Sequence, residues 1–204
     1  MHSNLTIIRR FSLGVVAGAG ALALLTACGG GGTMAGHGEM SGSAAPATTP
    51  AGTPSFNAAD VTFAQMMIPH HEQAVEMAEL AGPRAADAEI KELAAEIKAA
   101  QDPEIQTMKG WLTAWGTSAP TGGMHHDMPG TMSEEDMKQL EAAKGATFDR
   151  RFAELMIAHH RGAIEMARTE RAQGADPGAK ELARAIESAQ QAEIAQMEKI
   201  LDRL

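Results

Sequence analysis

The chain has no tyrosine and only 3% aromatic residues, so its core has to come from alanine, leucine, isoleucine and methionine. Such a core favours closely packed helices, and no stretch shows the alternation of β-branched and polar residues that marks a half-buried strand. There is one cysteine, Cys28. That excludes a disulfide framework and a cysteine-based zinc site. An excess of positive charge is also missing, the formal net charge being −9. Affinity for nucleic acid rests on neutralising phosphates with lysine and arginine, so that partner is excluded. An acidic surface suits cations instead. Beyond residue 27 there is no phosphate-cradling glycine loop and no nucleophile elbow.

The N-terminus reads as a leader. Arg9-Arg10 precedes an apolar Gly/Ala-rich stretch from Phe11 to Leu25, and Leu25-Thr26-Ala27-Cys28 has the form of a bacterial lipobox. The expectation is a lipoprotein signal peptide over 1–27, cleaved before Cys28, with Cys28 lipidated and the protein held at a membrane outside the cytoplasm. The stretch is shorter and richer in glycine than a spanning helix of about 20 apolar residues. Residues 28–56 are Gly, Ser, Ala, Thr and Pro, the composition of a flexible tether. Within them sits a small cluster, Met34, His37 and Met40.

Residues 57–204 carry an internal duplication. Phe63–Ala78 (FAQMMIPHHEQAVEMA) returns 89 residues later as Phe152–Ala167 (FAELMIAHHRGAIEMA), His70 falling on His159. The same shift places Asp60 on Asp149, Gln101 on Gln190, Glu104 on Glu193 and Met108 on Met197, without a gap. This is a repeated two-helix unit, with halves 57–115 and 146–204. Phe63, Met67, His70, Ala74 and Met77 are spaced 4, 3, 4, 3, which puts them on one seam of a helix. The expected fold is all-α, a four-helix bundle made from a duplicated hairpin. Asn57 with Asp60 reads as a capping box, with Phe56 and Val61 as a hydrophobic staple. Gly82-Pro83 reads as the turn after the first helix, and Pro69 should kink that helix and splay the first histidine cluster. Residues 116–133 form a breaker-rich loop with Met124, His125, His126 and Met128. A short extra helix should follow, from Ser133 to about Lys144, and Asp176-Pro177 should start the last helix.

A single histidine on an apolar face is usually a core residue, and a methionine stripe is usually packing. Four imidazoles at matched positions are different, because each needs a partner if buried. One shared metal ion would satisfy all of them. Thioethers and imidazoles form a soft, neutral donor set suited to Cu(I) and, by analogy, Ag(I). Binding should weaken below about pH 6 if imidazole protonation competes.

The doubled F-x-x-x-M-I-x-H-H-x-x-A-x-E-M-A, the Met/His loop and the Phe148–Phe152 lead-in resemble the CopM-like family, formerly a domain of unknown function. The resemblance covers about residues 57–204. It implies a ferritin-like bundle that binds copper in the bacterial envelope and contributes to copper tolerance, with a copper-handling partner protein left unidentified. It also implies Met67, His70, His71 and Met77 as ligands, with Met156, His159, His160 and Met166 at the matching positions. The loop residues Met124, His125, His126 and Met128 are candidates as well. Met34, His37, Met40, Met108, Met197, Glu104 and Glu193 are lesser ones. Two other classes stay open: a di-iron or di-manganese carboxylate enzyme using Glu76, Glu165, Glu104 and Glu193, and a bundle whose histidines only hydrogen-bond.

Overall fold

A computed structural model describes residues 55–118 and 128–204. The leader, Cys28, the cluster Met34, His37 and Met40, and the loop residues Met124, His125 and His126 lie outside the described residues. Within them the chain forms five helices and no strand: α1 (Ala58–Arg84), α2 (Ala88–Ala114), α3 (Glu134–Ala142), α4 (Ala146–Gln173) and α5 (Pro177–Leu201). The hairpins α1–α2 and α4–α5 pack most extensively, α1 lies against α4, and α2 barely meets α5. Among the described residues no helix is long and apolar enough to cross a membrane.

The helix starts follow from their caps. The Asn57 side chain accepts from the amides of Ala59 and Asp60, and Asp60 returns a bond to the Asn57 amide. Ser133 and Asp136 repeat the motif at α3, which ends at Ala142, short of Lys144. Asp176 caps α5, with Pro177 in the first turn. Phe56 stacks on Trp115 with ring centroids 4.9 Å apart. One expectation is corrected: helix α1 runs through Gly82-Pro83 to Arg84. A proline so close to the end costs little more than one backbone bond. The chain turns only at Ala85, because the next two amides are held elsewhere.

That hold comes from the other half. The Asp149 carboxylate, 1% exposed, accepts from the amides of Ala86 and Asp87 at 3.0–3.2 Å. Reciprocally, Asp60 accepts from the amides of Ala175 and Asp176 at 2.9–3.1 Å. Each half thus ties down the other's interhelical turn. Replacing Asp149 by alanine leaves two amides without their charged acceptor and should lower stability by about 2–4 kcal/mol. Urea denaturation measures this, and a loss under 1 kcal/mol would remove the turn-clamp role. One end carries an addition: the buried Glu170 abuts Asp60, and a Cβ on Gly174 would lie 2.0 Å from Glu170 Oε1. The matching position in the first half is Ala81.

The apolar interior divides in two. One cluster joins Phe63, Ala64 and Met67, from the first part of α1, to Ala163, Met166 and Ala167, from the second part of α4. The other joins Ala74, Met77 and Ala78 of α1 to Phe148, Phe152 and Met156 of α4. The two central helices are therefore antiparallel, and each methionine shares its cluster with one from the other half. Alanine at so many contact points lets the backbones approach closely.

Candidate metal centre

Between the two apolar clusters lies a polar layer, at the midpoint of every long helix. Helices α1 and α4 contribute His70, His71, His159 and His160, all 0% exposed. Helices α2 and α5 contribute the buried Gln101 and Gln190, with Glu104 and Glu193 beside them. The helical period sets this placement. Ile97 and Ile105 of α2 belong to opposite clusters, so Gln101 must fall between them.

His71 Nε2 stands 2.8 Å from Glu104 Oε2, and His160 Nε2 stands 2.6 Å from Glu193 Oε2. A carboxylate only accepts, so both imidazoles carry their proton on Nε2. His70 turns the other way and donates from Nε2 to the Pro129 carbonyl, 3.1 Å off. In the neutral form of each ring Nδ1 keeps a lone pair, and all three Nδ1 atoms are buried without a hydrogen-bond partner. Neither ring nitrogen of His159 has one. The rings of His70 and His159 are 3.7 Å apart between centroids, so the two halves meet at this pair. Burial, followed by the neighbouring His71, pushes the His70 pKa down to about 3. The His159 pKa is driven well below its ordinary value by burial first, then by His70, His160 and His71. Both stay neutral in the folded protein, so protons do not compete for them near pH 6 as expected from free imidazole.

The resemblance between halves holds despite Pro69. Helix α1 continues across it, and His71 has the same kind of partner as His160. The expectation that one ion would satisfy all four imidazoles is corrected. Among the described residues no three His, Cys, Asp or Glu side chains are placed to share an ion. Met67, Met77, Met156 and Met166 are buried in the flanking clusters, as are Met108 and Met197. Glu104 and Glu193 engage the outer imidazoles, the arrangement that fixes a tautomer and raises donor strength at the opposite nitrogen. Glu76 and Glu165 are exposed, so they cannot supply the inward carboxylates that a di-iron centre requires.

The end of the central loop reaches the layer, a contact not foreseen in the sequence. Residues 128–132 lie against the layer: Met128 is buried, Pro129 holds His70, and the Met132 backbone both donates to and accepts from the Gln73 side chain, at 2.7 and 3.0 Å. At Gly162, which matches Gln73 in the other half, a Cβ would lie 1.9 Å from the Pro129 oxygen. The only hint in the sequence is that divergence of Gln73 from Gly162 inside an otherwise close repeat.

A family model described as a domain of unknown function, DUF305, matches residues 60–201. Similar solved structures include a DUF305 protein from Streptomyces coelicolor, 33% identical, with a TM-score of 0.67, covering 71% of this chain and 93% of that one. A DUF305 fragment from Deinococcus radiodurans is also 33% identical, with a TM-score of 0.66 and coverage of 72% and 98%. CopM in its Cu(I)-bound form is similar at 34% identity and a TM-score of 0.61, covering 71% of this chain and 96% of that one. Its Cu(II)-bound and silver-bound forms match as well. Among curated proteins none matches.

Proposed function

The chain belongs to the DUF305 family, and from that premise and its polar layer we propose that it binds copper in the cell envelope, sequestering the ion or handing it on. One observation carries the reading. The Nδ1 atoms of His70, His71 and His160 are buried with no hydrogen-bond partner, and their opposite nitrogens are already committed to oxygens. A buried lone pair in that state is costly unless something meets it. Imidazole and thioether are neutral and soft, the donor set of Cu(I) and Ag(I), whereas zinc sites more often include cysteine or carboxylate. The candidate ligands are Met67, His70, His71 and Met77, with Met156, His159, His160 and Met166. The copper- and silver-bound forms of CopM support the choice of metal.

The remaining residues fit a capture route. Met34, His37 and Met40 in the tether, and Met124, His125, His126 and Met128 in the central loop, add donors of the same kinds from outside the repeated helices. A lipid on Cys28 would hold the protein at the membrane surface, where it would contribute to copper tolerance. Storage or transfer asks no turnover of the layer.

The reading is tested by Cu(I) competition titration of residues 55–204 with His125 and His126 replaced by asparagine. The expected result is that at least one tightly held Cu(I) remains and excess Zn(II) does not displace it. Loss of all tight binding with the two loop histidines would place the ion outside the helices.

A further inference from the structure

We propose that residues 128–132 are a removable cover over the His70–His159 pair, latched by Gln73 and seated on Gly162, whose lifting sets how fast small solutes reach the two imidazoles. The inference draws its purpose from the copper reading, but its geometry stands without it.

The direction of the rings comes first. His71 and His160 turn to carboxylates on α2 and α5, while His70 turns away from α2 and meets Pro129. The layer is walled by apolar clusters at both ends and by α2 and α5 on one side. On the side that His70 faces, the contact is a short stretch of irregular backbone. An open pocket of about 400 Å³ borders that stretch, with Phe63, Met66, Met166 and Pro129 in its wall. Lifting Pro129 would join this pocket to the imidazole pair along a path flanked by thioethers.

Two substitutions within the repeat make room for the cover. Gly162 lets the Pro129 carbonyl approach α4 to a distance that any side chain would block. Gln73, its counterpart on α1, forms a two-way hydrogen bond with the Met132 backbone. Gly130, at φ +78, bends the segment so closely over α4 that a Cβ there would lie 2.6 Å from the Ala158 oxygen. The hold includes the hydrogen bonds of His70 and Gln73 to the segment's backbone and the burial of Met128. A short irregular segment can open locally at far lower cost than the whole fold.

The test needs no metal. Metal-free protein is treated with diethyl pyrocarbonate, and carbethoxylation of His70 and His159 is followed by peptide mass spectrometry in wild type, Gln73→Ala and Gly162→Ala. Removing the two-bond latch should raise the rate roughly tenfold. Gly162→Ala, which favours helix but collides with Pro129, should raise it at least as much. Amide hydrogen exchange in α2 and α5 should be unchanged. Rates equal to wild type in both variants would overturn the cover, and so would a rise accompanied by lost protection throughout α2 and α5. In copper-loaded protein, transfer of Cu(I) to a chelator should quicken by the same factor; equal transfer rates would also overturn it. Should wild type hold no copper in the layer, the functional reading fails, and the carbethoxylation rates still decide the cover.

Discussion

Metal-free protein should lose stability as pH falls from 6.5 towards 4, since each histidine forced to stay neutral contributes about 1.4 kcal/mol per pH unit. His70 and His159 titrate near 6.5 once unfolded, but in the fold His70 stays neutral down to about 3 and His159 well below its ordinary value. Below pH 6.5 the unfolded chain therefore binds protons that the folded chain refuses, and stability falls as pH falls. Glu170 acts in the opposite sense. Burial and the adjacent Asp60 push its pKa from 4.5 up to about 8, so the fold keeps a proton that the unfolded chain has released. Its contribution is fully present below pH 4.5 and is lost as pH rises towards 8.

Together these set the shape of the curve. Between pH 4.5 and 6.5 one glutamate offsets one of the two histidines, leaving a slope of about 1.4 kcal/mol per unit; below 4.5 that offset is gone and the slope steepens. Above 6.5 the histidines fall silent and Glu170 alone lowers stability. Stability should peak near pH 6.5. Urea midpoints across pH 4–8 measure this, and His70→Leu together with His159→Leu should remove most of the acid branch. A flat profile from pH 6.5 to 4 would contradict the burial of neutral imidazoles.

Replacing Glu104 and Glu193 by glutamine should weaken copper binding in the layer by about 10- to 100-fold for each site changed. In the proposed site the carboxylate would hold the imidazole and not the ion. It accepts the Nε2 proton, which fixes the tautomer, turns Nδ1 inward and makes it a better donor. Glutamine has nearly the same shape but no charge, and it can also present its own N–H to the ring. The bundle should fold equally well, because both residues lie near the surface end of the layer, at 21% and 18% side-chain exposure. Competition titration of the two single variants and the double variant gives the comparison. Affinities within threefold of wild type would reduce the two glutamates to ordinary surface partners.

Much of this was legible in the residues. The 89-residue shift assigned the halves, and the 4, 3, 4, 3 spacing put the histidines on the inner seam. The signals Asn57/Asp60, Ser133/Asp136 and Asp176-Pro177 marked three helix starts, because capping is local chemistry. What escaped is what depends on distant residues. Asp60 and Asp149 matched each other in the sequence, yet nothing there said that each carboxylate reaches the other half's turn. The antiparallel meeting of α1 and α4 joins Met67 to Met166 rather than to its own copy, and a repeat carries no record of how its copies dock. Pro83 looked like a stop because proline ends helices; the end lies beyond it because Asp149 holds the next amides. The segment 128–132 belongs to neither copy, so no matched position revealed it.

The central claim is that the ion sits in the mid-bundle layer between sulfur-bearing clusters, and one measurement tests it most directly. Crystals of residues 55–204 soaked with Cu(I) or Ag(I) should give an anomalous difference peak beside the His70–His159 pair, within bonding distance of a histidine Nδ1 and a methionine sulfur. Peaks confined to the surface or the central loop, with both imidazoles still in their metal-free positions, would contradict it.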